Sequence, residues 1–184
     1  RLNKGATGPA MKILLVQGGF GAGGAEKVMA TLAAHRVDIG DDVHVAAMTM
    51  PDAGSFFPYP PQAQLHVLDS PARNLPAALL QPRRTRAIRR LIGDLRPDMI
   101  VSFLTKVNCL TLLAATGTGV PVVVSERNNP AAQSARFWNR LQTSLLPRAA
   151  GIAMQTGSAA ADLPEAQRIR AHVIPNPCLP VAFT

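Results

Sequence analysis

The segment Met11–Val37 reads MKILLVQGGFGAGGAEKVMATLAAHRV, and it decides the fold. It opens with an apolar run at 12–16, which predicts a strand buried on both faces. Five glycines lie between residues 18 and 24, and a helix with an apolar stripe is predicted over 24–37. A buried strand, a glycine turn and a helix in succession predict the first unit of a parallel α/β sheet.

The same alternation of strands and helices continues along the chain. Further strands are predicted at Val43–Met48, Leu65–Leu68, Met99–Phe103, Pro121–Ser125, Gly151–Gln155 and His172–Ile174, and helices at Arg84–Leu95, Val107–Thr116, Ser134–Leu146 and Ser158–Gln167. The proline-rich segment 51–64 contains Phe56, Phe57 and Tyr59 and is predicted to be a long loop. The pattern predicts a Rossmann-like α/β domain over 11–174, with a mostly parallel sheet and helices on both faces. Residues 1–10 are polar and aperiodic, and we expect a disordered lead there.

Composition limits the class of protein. The 184 residues suit one domain, and the low aromatic content of 4% predicts an aliphatic core. Two cysteines do not make a disulfide framework, and no apolar run reaches the ~18 residues of a membrane span, so we expect a cytoplasmic protein. The net charge of +8 suits a phosphorylated substrate, an anionic membrane or nucleic acid. Nucleic acid is disfavoured because the basic stretches carry few aromatic residues.

The glycines after the first strand are the first candidate site. Gly19, Gly21, Gly23 and Gly24 would let the backbone approach a ligand, and the following helix N-terminus would offer N–H groups to a phosphate. A plain connecting loop is the alternative. The spacing also fits the dinucleotide fingerprint, but the acidic residue expected at the end of the second strand is absent, because Asp52 comes late, after a proline.

Polar side chains follow the fourth and fifth strands. Ligands of parallel sheets bind outside the carboxyl ends of the strands, so these residues are candidates for binding a saccharide or a phosphate. The set comprises Thr105, Lys106, Asn108, Glu126, Arg127 and Asn128. A capped turn with an internal ion pair is the structural alternative for the second group.

A cluster of arginines lies on one predicted helix whose other face is aliphatic. Its members are Arg83, Arg84, Arg86, Arg89 and Arg90. Such a helix either lies on an anionic membrane surface or presents a solvated outer face. The histidines have no metal-ligand spacing with the cysteines, so no metal is expected, and Cys109 is predicted to be a small buried apolar residue.

Four segments in order give the chain a recognisable pattern. The segments are MKILLV at 11–16 with GGAEKV at 23–28, RPDMIVSFLT at 96–105, PVVVSERNNP at 121–130 and IPNP at 174–177. Over 11–177 the chain resembles the N-terminal, acceptor-side domain of retaining glycosyltransferases of family 4, which have the two-domain GT-B fold. The Ser-Glu-Arg-Asn form at 125–128 resembles the branch that extends lipid-linked saccharides in polysaccharide or protein-glycan assembly.

The resemblance implies a function and a division of labour. It implies a nucleotide-sugar co-substrate, often a UDP-sugar, no resident cofactor, and a saccharide or lipid-linked acceptor. The glycine loop is then expected to face the donor phosphates, while the N-terminal domain chiefly binds the acceptor, at the inner face of the membrane. Residues 175–184 are expected to begin a hinge to a nucleotide-binding second domain, and the isolated chain to be inactive.

The chain departs from the family pattern in two places: the first leaves the catalytic residue unassigned, and the second is expected to be a loop change. Many relatives have a histidine after the fourth strand, where this chain has Thr105–Asn108, and a Gly-His before the second strand, where it has Gly40–Asp42. Two other hypotheses stay open. One is a non-catalytic module that binds a phosphorylated ligand or docks on a membrane, and the other is a dehydrogenase-type cofactor domain.

Overall fold

The computed structural model describes residues 9–69, 77–126 and 136–176. The strands are β1 (Lys12–Gly19), β2 (Asp42–Thr49), β3 (Gln64–Val67), β4 (Met99–Phe103), β5 (Val122–Glu126), β6 (Gly151–Met154) and β7 (Ala171–Val173). The helices are α1 (Gly24–Asp38), α2 (Ala77–Leu95), α3 (Thr105–Ala115), α4 (Arg136–Leu145), α5 (Gly157–Ala161) and α6 (Glu165–Arg168), with a 3-10 turn at Leu146–Arg148. Every predicted strand is present within three residues of its predicted bounds.

The strands form one seven-stranded sheet in the order β3-β2-β1-β4-β5-β6-β7. All six neighbouring pairs are parallel. This confirms the predicted Rossmann-like α/β class. The first strand is longer than predicted, because Gly19 still pairs with Thr49 of β2.

Two aliphatic cores cover the two faces of the sheet. On one face, Leu15 and Val45 pack with Met29 of α1. On the other face, Leu14 and Ile100 are buried with apolar residues of α2, α3 and α4. Alternate residues of the central strands enter opposite cores, which explains why their sequences are apolar without a break.

Two helices differ most from their predicted bounds. The apolar spacing predicted α2 over Arg84–Leu95, yet α2 begins at Ala77 and contains Pro82, a residue that disfavours a helix interior. The single helix predicted over 158–167 is instead two short helices, and Pro164 is the N-cap of the second. Proline lacks the N–H that would continue α5.

Candidate functional site

The carboxyl ends of β1, β4 and β5 lie side by side, because these strands are neighbours in the sheet. The chain runs outward from β1 to β3 on one side and from β4 to β7 on the other, so its direction reverses between β1 and β4. The crevice at such a reversal is where open α/β sheets bind their ligands. The candidate site is therefore the edge formed by the glycine segment after β1, the N-terminus of α3 and the end of β5.

The glycine segment contains two kinds of glycine. A Cβ atom at Gly19 would lie 3.1 Å from Thr49 Oγ1, and one at Gly23 would displace the Glu26 carboxylate, so both positions are crowded. Gly21 and Gly24 have no atom within 4 Å of the place of a Cβ. Packing within the domain does not explain these two glycines, and the open space beside them is available to a ligand.

The N-terminus of α1 borders this open space. Its N-cap is Gly23, which has an extended backbone and makes no side-chain hydrogen bond to the first turn. Helix N-termini carry unpaired N–H groups and a partial positive charge, and they bind phosphate when they are open. Glu26, in the first turn, places its carboxylate over Gly23.

A buried polar pair beneath the glycine segment was missed by the sequence analysis. Gln17 of β1 is buried, and its Nε2 donates to the Tyr59 hydroxyl at 3.1 Å. Burial raises the pKa of Tyr59, the bond from Gln17 lowers it, and the charge of Glu26 raises it further. The other end of the Gln17 amide, Oε1, is buried and has no hydrogen-bond partner among the residues that the structure describes. A glutamine in an otherwise apolar strand, directly before the glycines, was the available signal.

Buried side chains at the ends of β4 and β5 are joined by hydrogen bonds. Ser102 Oγ donates to Asn108 Oδ1 at 2.8 Å, and Asn108 Nδ2 donates to the Ser125 carbonyl at 3.2 Å. All three residues are buried. Both ends of the Asn108 amide are therefore used inside the domain, and they fix α3 against both strands.

The second part of this network surrounds the Glu126 carboxylate. Glu126 is only 6% exposed, and its two oxygens lie 3.1 Å from the Thr105 hydroxyl, which donates to them. Gln142 of α4 donates to the same carboxylate at 2.5 Å. The carboxylate thus joins β5 to the N-terminus of α3 and to α4, and a helix N-terminus is a favourable place for a negative charge.

A strained turn connects β4 to α3. Leu104 has a φ of 76° and a ψ of 142°, a region that side-chain-bearing residues rarely adopt. Backbone bonds hold it on both sides, since its N–H donates to the Ser125 carbonyl and its carbonyl accepts from Asn108 N–H. Strained residues of this kind concentrate at ligand-binding edges, which agrees with the position of Leu104.

Lys106, at the N-terminus of α3, is a partly exposed cation of this edge. Its ammonium lies 5.6 Å from the centre of the Trp138 ring, a cation–π contact. Partial burial lowers the pKa of Lys106 below its usual value, repulsion by Arg84 lowers it further, and Asp69 raises it. The Trp138 ring and the Asp69 charge therefore attract the ammonium, while Arg84 repels it.

The residues of the predicted acceptor-binding set differ in burial and in their partners. Thr105, Asn108 and Glu126 are buried and hydrogen-bonded within the domain, whereas Lys106 is half-buried at the surface. Arg127 and Asn128 were predicted as members of this set and lie outside the described residues. Among the described residues, Thr105 bonds Glu126 and Asn108 bonds the Ser125 carbonyl, so the ends of β4 and β5 come together.

The arginines predicted to face a membrane are divided in the same way. Arg84 forms an ion pair with Asp69 at 2.6 Å, and Arg89 donates to the carbonyls of Ala114 and Thr116 at the end of α3. These contacts tie α2 to its neighbours. The remaining members of the set are exposed on α2: Arg83, Arg86 and Arg90.

The histidines and cysteine agree with their predicted structural roles. His44 is buried in β2 and lies 2.9 Å from His66, and burial together with the His44 charge lowers the pKa of His66. Cys109 is buried, which raises its pKa to about 12. Within 9–69, 77–126 and 136–176, no three His, Cys, Asp or Glu residues are placed to hold a metal ion. In the same part of the chain, no helix has the length and apolar character needed to cross a bilayer.

Several solved structures share this arrangement. Sucrose-phosphate synthase from Thermosynechococcus elongatus matches 89% of the chain with a TM-score of 0.71 at 12% identity, and HepE from Anabaena, solved with UDP and glucose, matches 90% with a TM-score of 0.66 at 17%. UDP-GlcNAc 2-epimerase from Methanocaldococcus jannaschii matches 89% with a TM-score of 0.64 at 15% identity. The chain covers 48%, 44% and 45% of these three, so it spans about half their length. No curated protein sequence matches the chain.

The fold and the edge described above define half of a GT-B structure: a Rossmann-like domain with its ligand edge at the end of β1. The sequence profile of the Glycosyl transferase 4-like domain matches residues 23–177, which is most of the chain. The chain belongs to this family, and the predicted resemblance is confirmed.

Proposed function

We propose that this chain is the acceptor-side half of a two-domain glycosyltransferase that moves a sugar from a UDP-sugar to a saccharide acceptor. The observation that carries the proposal is the open glycine segment. In a member of this family, Gly21 and Gly24 face empty space beside the uncapped N-terminus of α1, at the reversal of strand order. The solved HepE structure, titled as a complex with UDP and glucose, supports a donor of this class.

The proposed chemistry is electrostatic. Transfer with retention develops positive charge on the sugar and negative charge on the departing diphosphate. The α1 N-terminus and the Lys106 ammonium are the groups of this chain suited to the diphosphate, and preorganised dipoles of this kind stabilise transition states strongly. We propose no resident metal or cofactor and assign no catalytic base.

The acceptor is proposed to be a lipid-linked saccharide reached at a membrane surface. The exposed arginines of α2 would face anionic headgroups, and Phe137 of α4, 68% exposed and next to Arg136, would enter the interface. We propose a cytoplasmic, peripheral location on this basis. Flotation with anionic vesicles tests it: the protein should float at low salt, and charge reversal at Arg83, Arg86 and Arg90 should abolish flotation.

The experiment for the main proposal uses the natural full-length polypeptide. We expect it to release UDP from a UDP-sugar in the presence of a saccharide acceptor, and we expect the chain 1–184 alone to release none. Gly21→Val should weaken UDP-sugar binding, since the added side chain fills the open space. Gly93→Val is the matched control, because Gly93 is equally open but lies on α2.

The outcomes separate four functions. Transfer that Gly21→Val impairs and Gly93→Val spares supports the proposal. Binding of UDP without transfer to any acceptor would favour the non-catalytic module, and epimerisation of UDP-GlcNAc would place the protein with the 2-epimerase that shares its fold. Binding of NAD instead of UDP would favour the dehydrogenase-type domain.

A further inference from the structure

We propose that Phe56, on the loop between β2 and β3, is a stacking platform for a pyranose ring of the acceptor. This inference rests on the proposed function, because it takes the ligand of the carboxyl edge to be a saccharide. It assigns a binding role to the loop at 51–64, whose aromatic residues had no predicted function.

Phe56 is an exposed ring on a fixed backbone. The residue is 65% exposed, yet its ring packs edge-on against Phe57 with centroids 5.0 Å apart. Ser55 Oγ donates to the Phe57 carbonyl at 2.8 Å, and Gly54 N–H donates to the Pro51 carbonyl at 2.9 Å. A large apolar ring held in solvent has lost its freedom in advance, so a ligand that covers it meets a smaller entropic cost.

The backbone places this ring at the candidate site. Phe56 N–H donates to the carbonyl of Phe20 at 2.9 Å, and Phe20 lies within the glycine segment. Phe20 is itself fixed, since its N–H donates to the Thr49 carbonyl and its ring meets Tyr59 edge-on at 5.7 Å. The platform is therefore continuous with the edge proposed to hold the donor.

The charged residues near Phe56 favour a sugar over a membrane as the ligand that covers its ring. Asp52 is the only charged residue in 51–63, whereas anionic membranes are bound by apolar side chains among basic ones. Phe137 shows the contrast: it is equally exposed and packs edge-on against Trp138, but it lies between Arg136 and Arg140. A neutral pyranose offers an apolar C–H face to an aromatic ring and needs no basic neighbours.

The test measures saccharide binding directly, so it does not depend on turnover. The full-length protein is saturated with UDP, and saturation-transfer NMR follows methyl glycosides of glucose, galactose and N-acetylglucosamine. We expect at least one glycoside to bind, Phe56→Ala to weaken it on the order of five- to tenfold, the size of one aromatic contact, and Phe56→Trp to restore it. Phe137→Ala is the matched control and should leave glycoside binding unchanged.

Three results would overturn the platform. They are glycoside binding that Phe56→Ala leaves unchanged, no binding of any of the three glycosides, and loss of vesicle flotation in Phe56→Ala with glycoside binding intact. Titration of UDP into the same samples keeps the proposed function separate. UDP binding without glycoside binding sinks the platform alone, and absence of both removes the donor site as well.

Discussion

The two halves of the ligand edge are built in opposite ways. After β1, the backbone borders open space: no atom of the described residues lies within 4 Å of the place of a Cβ at Gly21 or Gly24, and the N-cap of α1 makes no side-chain hydrogen bond. After β4 and β5, the edge holds buried side chains: Asn108 bonds Ser102 and the Ser125 carbonyl, and Glu126 accepts from Gln142. We propose that the first half receives a ligand, while the second half fixes α3 and α4 against the sheet.

The largest effect on stability is expected from the buried side chains at the ends of β4 and β5. Glu126→Ala leaves Gln142 and Thr105 without their acceptor and opens a cavity, so we expect a loss of about 3 kcal/mol in the free energy of unfolding. Urea denaturation followed by circular dichroism measures it. Glu126→Gln keeps the shape and one carbonyl acceptor and should lose less than half as much. A fully stable Glu126→Ala variant that has lost acceptor binding would make Glu126 a ligand contact instead.

A pair of near-isosteric changes compares the two halves directly. Asn108→Leu removes an amide bonded at both ends and should cost about 2 kcal/mol, because Ser102 and the Ser125 carbonyl lose their partners. Gln17→Met removes an amide with one unpaired end and should cost less than about 0.5 kcal/mol, since the lost Tyr59 bond is offset by relief of the buried Oε1. Equal losses in thermal denaturation would remove the distinction between the halves.

The open space beside Gly21 is tested by placing a larger side chain in it. Gly21→Val should leave the free energy of unfolding within about 0.5 kcal/mol of the parent, because nothing lies against that position. Affinity of the full-length protein for UDP-sugar should fall roughly tenfold, equivalent to ~1.4 kcal/mol. Calorimetric titration compares the UDP-sugar affinities of Gly21→Val and Gly93→Val, and urea denaturation compares their free energies of unfolding. Unchanged affinity would mean that the open space holds no ligand.

The smallest effect is expected at Lys106, in the first turn of α3, and it concerns UDP-sugar binding. Lys106→Met should weaken UDP-sugar binding by a few-fold, the size of one partly exposed charge contact. The pKa of Lys106 is lowered, so its cation is lost as pH rises at a lower pH than for an ordinary lysine. Binding should therefore decline on the alkaline side in the parent and persist in Lys106→Arg. Identical pH profiles for the two proteins would remove Lys106 from the site.

The apolar pattern was enough to predict the sheet, whereas the site at the strand ends stays a prediction. The strand at 99–103 was predicted with its observed bounds, since its apolar run is introduced by Pro97 and Asp98. The role of Glu126 could not be predicted in this way. A polar residue at a strand end looks the same in sequence whether it faces a ligand or a buried partner, and Gln142, its partner, lies sixteen residues away on another element. The apolar spacing over 84–95 also did not predict that α2 extends back through Pro82 to Ala77, because tertiary packing overrides a local helix breaker.

The position of β1 in the middle of the sheet has a consequence for synthesis of the protein. β1 is made before its neighbour β4, and Lys12 N–H donates to the Asp98 carboxylate across 86 residues. At about 5–20 residues per second, a ribosome needs roughly 4–17 s to make that stretch. During this interval β1 is an apolar strand with one side unpaired, and unpaired strand edges are prone to aggregation. Slower translation across the segment before β4 should therefore lower the yield of folded protein.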